Sequence, residues 1–343
     1  MIRLNLALQG GGAHGALTWG ALDRLLEETD IEVAAISGTS AGALNAAAFK
    51  SGWATGGRGG ARAALGDLWE QVGAVTDPRM AQWITPWSDT AHYVTKAIEY
   101  SPLYAVFDAA ARMMTPAMYG PFIRNPLEKL TSRFDWEAIC SSSGPELHIC
   151  ATNVRTGKIR VFTGAELSSK AILASACLPT LFEAIEIYDP KTEREESYWD
   201  GGYTGNPALF PLYLPHLPDD ILIVNINPLE REEIPLDGPS LQNRINEISF
   251  NSSLLREMRA INFVKRLLHG GSVPKGSMKD VNLHMVGDND LMNELSVASK
   301  LIPTPITLAR LFEAGREAMD RFLAHHKDDL GKRGTVDLEE MFG

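Results

Sequence analysis

Hydrophobic positions along the chain switch period again and again. Leu4–Asn5–Leu6–Ala7–Leu8 is a short apolar run of strand type. Directly after it Ala16, Leu17, Trp19, Leu22, Leu25 and Leu26 share the 3.6-residue spacing of a helix over about 16–28. The pair then recurs: "IEVAAISGTSAGALNAAAF" predicts a strand over Val33–Ser37, a tight turn and an alanine-rich helix from about Ala41. The glycine-rich stretch 54–63, "ATGGRGGARA", predicts a mobile loop ahead of a helix over 61–73. "ELHICATNV" (146–154) and "KIRVFTG" (158–164) read as strands joined by a turn at Arg155–Thr156–Gly157. A helix over about 167–176 stops before Pro179, and "EAIEIY" (183–188) pairs with "YWDGG" in a hairpin that delivers Asp200. "DDILIVNINP" (219–228) is the unbroken apolar run of a strand buried on both faces. Past the linker 228–239, the pattern predicts a helix over 240–268, a strand over 281–287 and a helix over 305–327. Strands alternating with helices predict an α/β fold in which a parallel sheet is layered between helices.

Segment 77–135 departs from this alternation. Aromatic and methionine side chains, among them Trp83, Trp87, Tyr104, Met113, Met114 and Tyr119, sit there between prolines and short helical patterns. That composition suits a helical cap over an apolar site, and equally a packed subdomain. No internal repeat or low-complexity tract is present.

Composition changes the picture mainly by exclusion. With 343 residues, 45% of them hydrophobic and 22% charged, the chain buries a full core. A net charge of −11 and the lack of a basic stripe argue against a nucleic-acid partner. The same charge means that any transient contact with an anionic membrane surface rests on apolar side chains. Three cysteines without a CxxC pair read as reduced core thiols. The apolar run at the N-terminus is too short for a signal peptide, and nothing approaches the ~18–20 apolar residues of a span, so a cytoplasmic location is expected.

The candidate chemistry starts at "LQGGGAHG", Leu8 to Gly15. A strand running through glycines into a helix presents bare backbone N–H groups to an anion. Gly10-x-Gly12-x-x-Gly15 fits a dinucleotide pyrophosphate, and it fits the oxyanion of acyl transfer as well; the glycines alone do not decide. A dinucleotide site also needs an acidic residue at the end of the second strand. That position reads Ile36–Ser37–Gly38–Thr39–Ser40, with no carboxylate. Instead the strand enters Gly38–Thr39–Ser40–Ala41–Gly42, a G-x-S-x-G in which small residues permit the strained strand-to-helix turn of a nucleophilic serine. The helix N-terminus there favours developing negative charge.

An α/β-hydrolase places its serine after several strands and completes it with an acid and a histidine. Here Ser40 comes too early, and the histidines are poorly placed: His148 and His284 lie within strands, and His325 and His326 close the last helix. His14 sits in the glycine loop itself. The remaining activator is Asp200 in "YWDGGYTGNP", beside Trp199 and Tyr203, although an Asp-Gly pair is also an ordinary turn.

Taken in order, "GGGAHG", "GTSAG" and "DGG" resemble the patatin-like phospholipases. "ASACLP" (174–179) and "SKLI…LARLFEAGREAMDRFLAHH" near the end are similar to the bacterial branch of that family. The resemblance implies a three-layer α/β/α fold with a mostly parallel central sheet and a Ser–Asp dyad without histidine. Ser40 is then the nucleophile, Asp200 the base, and the amides of Gly10, Gly11 and Gly12 the oxyanion hole. Gly15, Gly38, Gly42, Gly201 and Gly202 support the motifs. No cofactor and no metal is implied. The substrate is a lipid (a phospholipid or lysophospholipid) or another acyl ester: a thioester, a neutral lipid or a storage polyester. A lipid-binding regulatory protein that keeps the fold without catalysis is the alternative from another class. One domain over 1–343 is expected, with a core over about 4–228, the cap at 77–135 and a C-terminal helical extension over about 240–343 packed on it. The oligomeric state stays open. Many members carry Arg or Lys where this chain has His14, so positive charge at the loop is expected to depend on pH, with a weaker hold on a phosphorylated head group.

Overall fold

The apolar run at the start of the chain becomes strand β1 (Ile2–Leu8), which lies between two parallel neighbours. On one side it pairs with β2 (Ile31–Gly38), Leu8 opposite Gly38. The computed structural model describes residues 1–73, 125–274, 276–295, 299–300 and 303–343. The predicted cap therefore lies outside the described residues up to 124, Met113, Met114 and Tyr119 included.

Beyond β2 come β3 (Glu146–Asn153), β4 (Ile159–Thr163), β5 (Ile185–Asp189) and β6 (Arg194–Asp200). On the other side of β1 lie β7 (Asp220–Val224) and β8 (Asn282–Val286). These eight strands form one sheet, ordered β5-β6-β3-β2-β1-β7-β8 with β4 also on β3. The run β3-β2-β1-β7-β8 is parallel, whereas β4, β5 and β6 join antiparallel. Antiparallel β6 returns alongside β3 and leaves Asp200 opposite Ala151, next to the carboxyl ends of β1 and β2.

The apolar run of β7 is buried at all five residues because helices cover both faces. Leu222 and Val224 join the core shared with α1 (Gly15–Leu25), α2 (Ala41–Val72), α3 (Ser169–Ser175) and α5 (Pro305–His326). Ile221 and Ile223 point the other way, into a core closed by Leu254, Met258 and Ile261 of α4 (Gly238–His269). That alternation along one strand is the α/β/α sandwich. Among the described residues no helix is long and apolar enough to cross a membrane.

Two expectations are corrected. The glycines of 54–63 form a tight break, not a long loop: two helices, which together span Ala41–Val72 and are labelled α2, meet at the non-helical Gly56 and Gly57. The backbone reverses there so tightly that a Cβ on Gly52 would stand 2.2 Å from the carbonyl oxygen of Gly60, so close approach explains the glycines. Of the three free cysteines, Cys150 and Cys177 are buried, but Cys140 ends the short helix Trp136–Cys140 and is exposed.

Candidate active site

The end of β2 and the start of α2 are only two residues apart, so the chain must reverse at Ser40. It does so with φ 53° and ψ −119°, in the left-handed region that costs a non-glycine residue strain. The surroundings hold it there. The Ser40 N–H donates to Ser175 Oγ at 2.9 Å, and the Thr39 hydroxyl donates to the Gly205 carbonyl at 2.6 Å. A Cβ on Gly42 would stand 2.1 Å from the Leu8 carbonyl oxygen, which is why the first turn of α2 can lie directly on the end of β1. Gly38 packs against the Gly42 carbonyl, and Gly15 against Ala41 and Trp69. Ser40 itself is half-buried at the head of a long helix, whose N-terminal partial charge favours an anion.

Asp200 closes β6. Its N–H donates to the Cys177 carbonyl at 2.8 Å, and its own carbonyl accepts from the Thr152 hydroxyl at 2.8 Å. The carboxylate is 2% exposed; Oδ1 accepts the Gly202 N–H at 2.7 Å, and the Ser40 side chain lies close enough to favour its charged form. Burial raises its pKa to about 7, against the opposing pull of the Gly202 N–H and the nearby Ser40 side chain. Gly201 lies against the Cys150 carbonyl and Thr39, and Gly202 against Phe250, which meets Tyr203 edge-to-face. The "DGG" segment thus brings Asp200 to Ser40 from across β3.

The glycine loop reaches the same spot from β1. A Cβ on Gly10 would stand 2.7 Å from that of Ser40. The Gly10 N–H, however, is spent: it donates to Asn206 Oδ1 at 2.7 Å. Of the three amides expected as oxyanion donors, that of Gly10 is therefore already engaged. Gly12 is solvent-exposed with φ 59°, next to the backbone of Lys300.

His14 is also different from expectation. It is 1% exposed, with Nε2 on Ser299 Oγ at 2.7 Å and Nδ1 buried without a partner. Burial, then the charges of Lys300 and Arg231, hold its pKa well below the ordinary value, so it stays neutral and is no titrating cation at physiological pH. His148 is buried on β3, and His284 bonds Asp220 at 2.9 Å on the far strand pair β7–β8. Among the described residues no histidine hydrogen-bonds Ser40 or Asp200, and no cluster of metal-ligating side chains occurs.

Sequence reasoning missed the carboxamides that set this loop. Gln9, Asn206, Asn227 and Asn251 are all buried. Gln9 Oε1 accepts from the N–H groups of Ile226 and Asn227, and Gln9 Nε2 donates to Asn251 Oδ1. Asn227 Nδ2 donates to the Gly10 carbonyl at 2.8 Å, so both polar groups of Gly10 are held. The available signal was amides at the ends of apolar runs, in "GNP" and "NINP".

The chain matches the patatin-like phospholipase family over residues 6–213. No curated protein matches it. Solved structures similar to it include VipD from Legionella pneumophila, at 15% identity and a TM-score of 0.41, covering 94% of this chain and 67% of that one. ExoU of Pseudomonas aeruginosa, in its complex with SpcU, is similar at 18% identity and a TM-score of 0.27, over 73% of this chain and 50% of that one. With the family match extending over more than half of its length, the chain belongs to the patatin-like phospholipases, a family of lipid acyl hydrolases.

Proposed function

We propose that the protein is a serine carboxylic-ester hydrolase of the phospholipase A, lysophospholipase or esterase type, working through a Ser40–Asp200 dyad. The observation that carries this reading is the buried Asp200 carboxyl at the end of β6, beside the strained turn of Ser40: burial raises its pKa to about 7, where a general base is most effective. Asp200 takes the Ser40 proton as Oγ attacks the acyl carbonyl. The developing oxyanion is met by the amides of Gly11 and Gly12 and by the start of α2. Donors of this kind contribute ~2.7–4 kcal/mol each. The alcohol leaves with the proton held on Asp200, and Asp200 then activates the water that releases the acyl-enzyme. The substrate is a lipid acyl ester met in transient contact with a lipid surface, by an enzyme acting from the cytoplasm without metal or cofactor.

A fluorophosphonate probe tests the assignment. Wild type is labelled and Ser40→Ala is not. Asp200→Asn keeps its shape but hydrolyses p-nitrophenyl esters ~10²–10⁴-fold more slowly, the usual yield of general-base catalysis. Equal labelling of Ser40→Ala would overturn the nucleophile, and a fully active Asp200→Asn the base. Intact folding with no labelling of wild type would favour a non-catalytic lipid-binding protein.

A further inference from the structure

The glycine loop is gripped from a part of the chain that lies beyond the family match. The carbonyl oxygen of Lys300 stands 2.4 Å from where a Cβ on Gly12 would be, and its ammonium donates to Asn227 Oδ1 at 3.2 Å. Asn227 in turn donates to the Gly10 carbonyl at 2.8 Å. Lys300 thus touches the loop twice, by backbone at Gly12 and by side chain through Asn227 at Gly10. Between these two points lies Gly11.

The other charges facing Lys300 are committed elsewhere. Arg231, from the linker after β7, is forked onto Glu247 of α4 at 2.7 and 2.8 Å and donates to the Asn293 carbonyl at 2.8 Å. Glu247 is 1% exposed and also meets Arg244 at 3.4 Å, so its charge is offset twice. His14, on the loop side, is neutral. The ammonium of Lys300 therefore brings positive charge to the loop side of Asn227, while Glu247, which also acts on it, is shared with Arg231 and Arg244.

We propose that Lys300 is the positioning residue of the glycine loop: held on Asn227, it keeps Gly11 and Gly12 turned toward Ser40 and sets a positive charge beside the oxyanion. This rests on the hydrolase reading above. Burial, the dominant cause, and Arg231 lower the Lys300 pKa to about 8, with Glu247 opposing. The charge is then present at pH 7 and lost as pH rises through about 8.

The test compares Lys300→Met and Lys300→Arg on a soluble p-nitrophenyl ester between pH 6 and 10, with Tm measured alongside. Lys300→Met is expected to lower kcat about tenfold, less than the ~10²–10³-fold lost with a direct oxyanion donor because Lys300 acts through the loop, with KM within about twofold, as befits an interaction made in the transition state. Lys300→Arg, whose charge persists, is expected to keep most of the pH 7 activity. Wild type is expected to lose kcat/KM above about pH 8, and Lys300→Arg to abolish that fall. Wild-type kcat in Lys300→Met would overturn the proposal. So would an unchanged alkaline fall in Lys300→Arg, which stands even if the Met variant folds poorly. Ser40→Ala in the same assay separates the two readings: if it abolishes turnover while both Lys300 variants match wild type, only the role of Lys300 is lost.

Discussion

Two residues of the site are held in states that cost free energy, and each is held by neighbours that can be named. Ser40 keeps a left-handed backbone, a strain of order 1–3 kcal/mol, because Ser175 accepts its N–H and Gly42 lets α2 close onto β1. Asp200 is buried with little compensation beyond the Gly202 amide and the Ser40 hydroxyl. A carboxyl whose folded pKa is raised destabilises the protein as pH increases. Its stability contribution is fully present below the unfolded value near 4 and is lost as pH climbs through about 7. Asp200→Asn removes that loss. It is therefore expected to leave Tm near wild type below about pH 4 and raise it at pH 8, where the difference approaches about 1–4 kcal/mol. Thermal unfolding at the two pH values checks this, and a difference independent of pH would show that Asp200 does not carry the burden. The direction of the shift was legible, since Asp200 follows Trp199 and stands near Tyr203 in "YWDGGY". The carboxamides around Gly10 were not, because a single Asn or Gln reads as turn chemistry until its partners are known.

Among the elements, α1 and α5 make the closest crossing. A Cβ on Gly20 would stand 1.9 Å from the Phe312 carbonyl oxygen, and one on Gly315 2.0 Å from that of Leu17, so the two backbones touch. Trp19 packs on Phe312 with ring centroids 4.1 Å apart, and Asp23 is clamped by Arg62 and Arg316. Gly20→Ala must push the helices apart and is expected to cost about 1–3 kcal/mol or more, read as a lower Tm. Because α1 leads out of the glycine loop, it should also slow hydrolysis. A Tm equal to wild type would mean that the crossing can relax freely. Helix period predicted both elements to within a few residues, because each has one face committed to the core. Composition misled at 54–63 for a physical reason: glycine serves a tight reversal and a mobile loop alike, and only the partner across the gap, Gly60 against Gly52, distinguishes them.

At the scale of the molecule, the three motifs are legible because each is local, a few residues on one turn. What completes them is not local. Asn206, Asn227 and Lys300 reach Gly10 and Gly12, and Asn251 reaches Gln9, across about 200 residues or more of chain, and no spacing rule connects them. Strand β8 pairs with β7 along all five of its residues, α4 covers one face of the sheet, and α5 covers α1. The motifs all lie before residue 206, yet the sheet that aligns them is finished only after residue 280. A chain ending at Pro228 keeps Ser40, Asp200 and every glycine of the loop. It loses a paired edge of β7, the apolar partners of Ile221 and Ile223, and the lysine at Gly12. Such a chain is expected to fail to accumulate in soluble form and to show no fluorophosphonate labelling in the soluble fraction. A soluble fragment over residues 1–228 that labels at the wild-type rate would show instead that the catalytic geometry is set within the matched family region, with the C-terminal helices as mere cover.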